Sequence, residues 1–312
     1  MGISSRLKKF KTEIGPTVKE MKFMITRMKK SPLSMVGVAM LLFFVAVALL
    51  APVLAPVPEG QTDPYRVPRE GYLAEPKPPS EKHPFGTTPW QFDLYYGVIW
   101  GTRTAFRIGL IVVLSALAIG LSIGTIAGYY GGVIDELMMR FTDIIWAFPN
   151  LILCMALVSV LGPTLDSIIL ALTIVGWPTY ARVIRGEILK VREEDYVEAA
   201  KAVGCSDFRV IFKHVLPNSI YSILIMASLD IGAIVLTAAA LMFLGLGPPS
   251  GYADWGQMIS FSRGWIYASP SNPWGYWWTW TIPGVFIFIF VLAWNLLGDA
   301  VRDIFDPTLR RR

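Results

Sequence analysis

The sequence predicts an all-α membrane protein with six transmembrane helices. The 312-residue chain is 54% hydrophobic and only 16% charged, and its mean hydropathy is +0.51. A soluble chain carries about 25% charged residues, so lipid must solvate most of this one. Its apolar residues gather in long runs, and they do not follow the alternating pattern of a β-barrel. Helices are therefore the structure that can satisfy the backbone inside a bilayer.

Six apolar runs approach the roughly 20 residues that a span requires. They are Leu33–Val57, Ala105–Tyr129, Phe141–Leu161, Leu165–Ala181, Ser219–Leu246 and Ile282–Leu297. The fourth run contains Gly176-Trp177-Pro178, which predicts a kink or a break. The resulting division is a basic segment 1–32, a first helix 33–57, a Pro-rich outer loop 58–101, a five-helix core 102–300 and a tail 301–312.

The distribution of Lys and Arg predicts the orientation. Nine precede the first span, seven lie between Arg182 and Lys213, and four follow from Arg302 onward. The segment 247–281 carries only Arg263. We therefore expect a multi-pass protein of the cytoplasmic (inner) membrane with both termini and the 182–217 loop in the cytosol. The loop 58–101 also contains Lys and Arg and gives the weakest support to this orientation.

Motifs for chemistry are missing from the sequence. It has no G-x-x-x-x-G-K-[ST] phosphate loop and no Cys/His set with metal-ligand spacing. The predicted topology puts His83 and His214 on opposite sides of the membrane, so a hydrolytic triad is not expected. The sequence predicts no catalytic residue, no metal site and no cofactor in this chain.

The 182–217 loop carries a polar pattern between two apolar runs. Strong helix formers follow Asp195, and Gly204 can end that helix in a left-handed conformation. Ser206 or Asp207 can cap a second helix over Phe208–Val215, which Pro217 closes. Small residues leave one face open to close approach, and an apolar edge lies on the second helix. The small residues are Ala199, Ala200 and Ala202, and the edge residues are Phe208, Phe212 and Val215.

Periodicity alone is equally compatible with a loop that lies on the lipid headgroups and with a loop that binds in a groove on a partner. Its spacing resembles the EAA loop of ABC-importer permeases: E-A-A, three residues, Gly, nine residues, an apolar position, one residue, Leu-Pro. The matching residues are Glu198, Ala199, Ala200, Gly204, Leu216 and Pro217. His214 stands where the general pattern has Ile, as in the peptide/nickel branch of these permeases.

The resemblance to that dipeptide/oligopeptide/nickel branch extends over about residues 85–310. Its further segments are Phe85-Gly86-Thr87, Gly101 with Arg103 and Gly109, Gly128–Gly132 with Asp135, Arg140, Asp143, Phe148 and Pro149, Phe243–Pro249 with Trp255-Gly256, and Asn295–Asp299 with Arg302, Asp303, Asp306 and Pro307. Two positions depart from the family pattern. The D-x-x-G-R-D segment keeps only Asp93, and Ala238 replaces the usual Glu.

The resemblance implies an ABC-importer type I permease fold with a cytoplasmic coupling-helix loop. It also implies a second homologous permease subunit, two cytosolic ATPase subunits that bind ATP and Mg, and an extracytoplasmic substrate-binding protein, with no nucleic acid. Glu198 is expected to pair with a cation on an ATPase, or else to be a capping or exposed residue. Gly204 is expected to supply a turn that any Cβ would strain.

Two features bear on the substrate path. Asp230 lies deep in the fifth run, where an acid faces either a cavity or a neighbouring helix. Six of the eleven Trp lie at 255, 265, 274, 277, 278 and 280. Such Trp residues form an interfacial aromatic belt, dock a binding protein or stack on sugar rings.

The predicted function is a permease subunit, not an enzyme, that forms the translocation path of an ATP-driven importer of oligopeptides. Oligosaccharides are the alternative substrate class. A secondary transporter is the rival outside this class, although it would need several intramembrane charges or an inverted repeat.

Overall fold

The computed structural model describes residues 31–266 and 274–305, and within them every regular element is helical. Eleven helices are labelled here in chain order. They are α1 Pro32–Leu54, α2 Leu94–Tyr130, α3 Gly132–Trp146, α4 Asn150–Leu161, α5 Leu165–Arg192, α6 Asp195–Ala202, α7 Asp207–Val210, α8 Leu216–Ser219, α9 Tyr221–Phe243, α10 Trp255–Phe261 and α11 Trp278–Phe305. Residues 1–30 of the predicted segment 1–32 and residues 306–312 of the predicted tail 301–312 lie outside the described residues.

Five helices (α1, α2, α5, α9 and α11) are long and apolar enough to cross a membrane, and the pair α3–α4 brings the number to six if it counts as one span. The all-α prediction is therefore confirmed. The third run, Phe141–Leu161, is not one straight helix, because α3 and α4 meet at 83°. Pro149 explains the bend: it disfavours the helical conformation at Phe148, so α3 ends at Trp146.

Of the predicted kink or break in the fourth run, the break is wrong. Helix α5 continues through Pro178 and extends to Arg192, well past the predicted end at Ala181. Most of the Gly176–Ala181 stretch is buried against neighbouring helices. Packing of this kind lets a membrane helix tolerate the proline.

The packing of α2 against α5 forms the centre of the molecule. Gly120, Gly124 and Gly128 lie on one face of α2, four residues apart, and each faces the backbone of α5. An added Cβ at Gly120 would lie 2.8 Å from the Trp177 carbonyl oxygen and 2.9 Å from the Ala181 nitrogen. Small residues let two membrane helices approach this closely.

Residues 55–93 form a cap of mostly irregular chain that packs on the N-terminal ends of α2 and α10. Helix α2 begins at Leu94, earlier than the predicted Ala105, because the Asp93 carboxylate accepts from the Tyr96 N–H at 2.8 Å. The Val67 N–H donates to the Gly251 carbonyl at 2.7 Å. The Trp278 indole N–H donates to the Thr87 carbonyl at 3.2 Å. These bonds anchor the cap to the segment that follows α9 and to the start of α11.

An aromatic cluster joins α1, α10 and α11. The Phe44 and Phe290 rings lie 5.2 Å apart, and the Trp255 ring lies 5.6 Å from Phe290. The Trp255 indole N–H donates to the Val98 carbonyl of α2 at 3.1 Å. Trp255 is therefore part of the core and not of an outer aromatic surface.

Asp254 caps α10 and is buried, accepting from the Gln257 N–H at 2.9 Å. Burial raises the pKa of Asp254 from 3.8 to about 6. The folded chain therefore holds this proton more tightly than the unfolded chain. The stability from this group is complete below pH 3.8 and is lost as the pH rises through about 6.

We expect Asp254→Asn to keep the cap, since an amide oxygen also accepts, and to remove this pH dependence. The measurement is thermal unfolding of both proteins in detergent at pH 5 and pH 7.5. The unfolding midpoint of the variant minus that of the wild type should be larger at pH 7.5 than at pH 5. An identical difference at both pH values contradicts the assignment.

Candidate functional site

The site begins with α6, whose end follows the sequence prediction. Val203 and Gly204 follow the helix, and Gly204 has φ +82°, the left-handed conformation that glycine adopts without strain. Its N–H donates to the Lys201 carbonyl at 2.9 Å, and the Cys205 N–H donates to the Ala200 carbonyl at 3.1 Å. These bonds terminate α6 and reverse the chain.

The second half of the loop differs from the prediction. Helix α7 does not end before Pro217 but continues through a π-helical turn, Ile211–Val215, into α8. The Leu216 N–H reaches the Ile211 carbonyl, five residues back. The proline ring crowds the carbonyl four residues before it, and the wider turn relieves that contact. Pro217 therefore lies inside a bent helical segment.

One side of this loop packs against the helical bundle. Its buried residues are Val197, Ala200, Val210, Ile211 and Val215. The predicted positions of Ala200 on the open face and Val215 on the apolar edge are therefore wrong. Both side chains fix the loop to its own subunit.

The opposite side is exposed and apolar. Val203, Phe208 and Phe212 are 79%, 72% and 55% exposed, and the two rings lie 4.4 Å apart. These three residues are called the apolar patch below. Exposed apolar residues gathered on a short helical segment are typical of a protein–protein contact.

The remaining predicted residues surround the patch. Glu198, Ala199, Gly204 and Pro217 are exposed, and Leu216 is partly buried. Glu198 makes no side-chain hydrogen bond or ion pair with the described part of the chain, so its carboxylate faces outward. The structure thus brings the predicted residues together in one loop.

Sequence reasoning missed two ion pairs beside the loop. The Arg185 guanidinium donates to both carboxylate oxygens of Asp135 at 2.5 and 2.6 Å, and Arg182 pairs with Asp143. These pairs hold α3 against α5. The sequence does contain a signal for these pairs. Asp135 and Asp143 lie around the start of the third apolar run, and Arg182 and Arg185 follow the fourth.

The acid of the fifth run has a partner on a neighbouring helix. The Tyr180 hydroxyl of α5 donates to the Asp230 carboxylate of α9 at 2.8 Å. This geometry matches the expected contact with a neighbouring helix, and Asp230 stays partly exposed.

The six Trp residues of the 255–280 segment differ in exposure. Trp255 and Trp278 are buried, Trp265 and Trp280 are half-buried, and Trp274 and Trp277 are 65% and 45% exposed. This segment therefore serves partly as core, and only some of its indoles are exposed. Within residues 31–266 and 274–305, no three His, Cys, Asp or Glu side chains form a possible metal site.

A bundle of five or six apolar helices with a projecting two-helix loop is the architecture of a multi-pass membrane protein. The family described as "Binding-protein-dependent transport system inner membrane component" matches residues 120–311. This chain belongs to that family. A second model, "N-terminal TM domain of oligopeptide transport permease C", matches residues 21–76.

Curated relatives match nearly the whole chain. The dipeptide transport system permease protein DppC of Alkalihalophilus pseudofirmus is 38% identical over 91% of this chain and 88% of the relative. The oligopeptide transport system permease protein OppC of Bacillus subtilis is 35% identical over 91% of this chain and 88% of the relative. The glutathione transport system permease protein GsiD of Pectobacterium atrosepticum is 36% identical over 74% of this chain and 75% of the relative.

One solved structure supports the fold. A chain of the inward-facing MetNI methionine ABC transporter aligns with a TM-score of 0.52 and 18% identity, covering 68% of this chain and 97% of that one. The predicted ABC-importer permease fold and family are confirmed. The chain is a transport permease subunit and not an enzyme.

Proposed function

We propose that this chain forms half of the translocation path of an ATP-driven importer of short peptides. Its partners are a second homologous permease subunit, two ATPase subunits that bind ATP and Mg, and an extracytoplasmic binding protein. The apolar patch carries this proposal, because it projects from a loop whose other face is fixed to the bundle. Such an apolar surface is more favourably buried in a groove on a partner than left exposed to solvent.

The charge distribution supports an orientation. Seven Lys and Arg occur between Arg182 and Lys213, while the segment 247–281 contains only Arg263. The positive-inside rule then puts the loop and both termini in the cytosol, where ATP is available. Closure of the ATPases moves the loop, and the helices attached to it move between outward and inward access.

The substrate class rests on the relatives, whose names specify dipeptides, oligopeptides and glutathione. Oligosaccharides are the second candidate. Trp274 and Trp277 favour them, because exposed indoles can stack on sugar rings. Trp255 and Trp278 give no such support, since both are buried in the protein.

The test is uptake by the complete transporter, purified from its native membrane and reconstituted in liposomes with its binding protein. Radiolabelled trialanine and cellotriose are offered separately, each with ATP or without it. We expect ATP-dependent uptake of trialanine only. Uptake of cellotriose alone would overturn the peptide assignment, and uptake by this chain without ATPase subunits would overturn the transporter class.

Asp230 is proposed to contact a cationic group of the peptide on its path. Asp230→Asn should lower trialanine uptake, because the amide keeps the acceptor for Tyr180 but loses the charge. Tyr180→Phe is the matched control: it removes the hydrogen bond and leaves the carboxylate. Loss of uptake in Tyr180→Phe with unchanged uptake in Asp230→Asn would assign Asp230 to helix packing and remove it from the path.

A further inference from the structure

The chain itself connects the loop to only two of the long helices. Helix α5 leads into α6, and α8 leads into α9. A displacement of the loop therefore reaches α5 and α9 directly. It reaches α2 and α3 only through non-covalent contacts.

One residue of α2 contacts both halves of the loop. Tyr129 is 7% exposed, and its hydroxyl donates to the Asp207 carboxylate at 2.7 Å. The Lys201 ammonium lies 5.2 Å from the centre of the Tyr129 ring, within the range of a cation–π contact. Asp207 begins α7 and Lys201 belongs to the last turn of α6, so the ring bridges the turn at Gly204.

These are the polar side-chain contacts that join the 195–219 loop to α2 and α3 in the described part of the chain. Tyr129 also belongs to the buried apolar cluster that contains Val197, Val210 and Ile211. Both burial and hydrogen bonding therefore fix its ring relative to the loop.

The other side of Tyr129 leads to the broken span. The Arg192 guanidinium donates to the carbonyl groups of Gly128 and Tyr129 at 3.2 and 3.3 Å. Gly131, at φ +67°, then turns the chain directly into α3. Helices α2, α3 and α5 thus meet at the end of α2, where Tyr129 lies.

We propose that Tyr129 is the positioning residue that transmits movement of the loop to the junction of α2 and α3, through its hydrogen bond to Asp207. This inference rests on the proposed function. Tyr129 contacts neither ATP nor substrate. It makes α2 and α3 follow the loop together with α5 and α9.

The first experiment compares Tyr129→Phe with the wild type in the complete reconstituted transporter. Phenylalanine keeps the buried ring and its contact with Lys201, so the fold and the association with the ATPases should persist. A hydrogen bond to a charged group can shift an equilibrium about tenfold, and exposure of Asp207 reduces this. We expect trialanine uptake per ATP hydrolysed to fall about three- to tenfold.

The control variant is Tyr130→Phe. Tyr130 follows in the chain and is 49% exposed, and its removed hydroxyl makes no hydrogen bond to the described residues. Its uptake per ATP should equal that of the wild type. Loss of the same size in Tyr130→Phe would contradict a specific role for Tyr129.

A double-mutant comparison tests the bond itself. Asp207→Asn keeps an acceptor oxygen and should keep most of the coupling, whereas Asp207→Ala should lose it. The combination Tyr129→Phe/Asp207→Ala should be no worse than the poorer single variant, because both changes remove one interaction. Additive losses would overturn the proposal.

The two levels of inference fail differently. A wild-type transporter without ATP-dependent trialanine uptake refutes the proposed function. An active wild type with an equally coupled Tyr129→Phe variant refutes only the role of Tyr129.

Discussion

Alanine at Gly120 is expected to push α2 away from α5 and to destabilise the subunit strongly. The new methyl group would meet the Trp177 carbonyl oxygen and the Ala181 nitrogen, both within 3 Å. Backbone atoms cannot rotate aside as a side-chain end can, so whole helices must shift. Overpacking of this kind costs about 1–3 kcal/mol.

The measurement is thermal unfolding of the purified chain in detergent, with Gly186→Ala as the matched control. Gly186 lies in α5, and a Cβ there meets nothing within 4 Å. Its substitution should leave the midpoint unchanged or raise it, because alanine favours helices more than glycine does. A Gly120→Ala midpoint equal to that of Gly186→Ala would show that the helices are not in close contact.

Aspartate at Phe208 is expected to abolish stable association with the ATPase subunits. Phe208 is 72% exposed and its ring lies against that of Phe212, so the substitution leaves the interior of the subunit intact. In an apolar groove of the ATPase, the new carboxylate would lose its hydration and gain no ionic or hydrogen-bonding partner. Loss of a central aromatic anchor typically costs about 2 kcal/mol or more, which weakens binding at least about tenfold.

Co-purification of the ATPases with the tagged permease, over a series of detergent washes, measures this loss. Leu73→Asp is the control, because Leu73 is 68% exposed but belongs to the outer cap. Both variants should unfold at the wild-type temperature, and only Phe208→Asp should lose the ATPases. Retention of the ATPases by Phe208→Asp would exclude the apolar patch from the interface.

The resemblance of the sequence to a known family located the loop but not its faces. The spacing of Glu198, Gly204 and Pro217 gave the position of two short helices and the turn between them. It could not separate the buried Val215 from the exposed Phe212, because a π-helical turn changes the angular position of the residues around it. Helical periodicity assumes an unbroken α-helix, and this segment departs from one.

The ion pairs and the Tyr129 contact depend on long-range packing. Arg185 and Asp135 are 50 residues apart, and Tyr129 and Asp207 are 78 apart. Nothing local specifies that these side chains meet. Their meeting depends on how closely α2 and α5 approach, and this distance follows from small residues whose partners lie on another helix.

The sequence alone determined the class of fold, the number of apolar runs and the family, because hydropathy and motif spacing are properties of neighbouring residues. The tertiary structure decided where helices bend and continue. Pro149 ends α3 at an exposed site, whereas buried Pro178 is tolerated within α5 because neighbouring helices pack around it. One residue type thus had opposite outcomes, since the effect of a proline on a helix depends on what surrounds it.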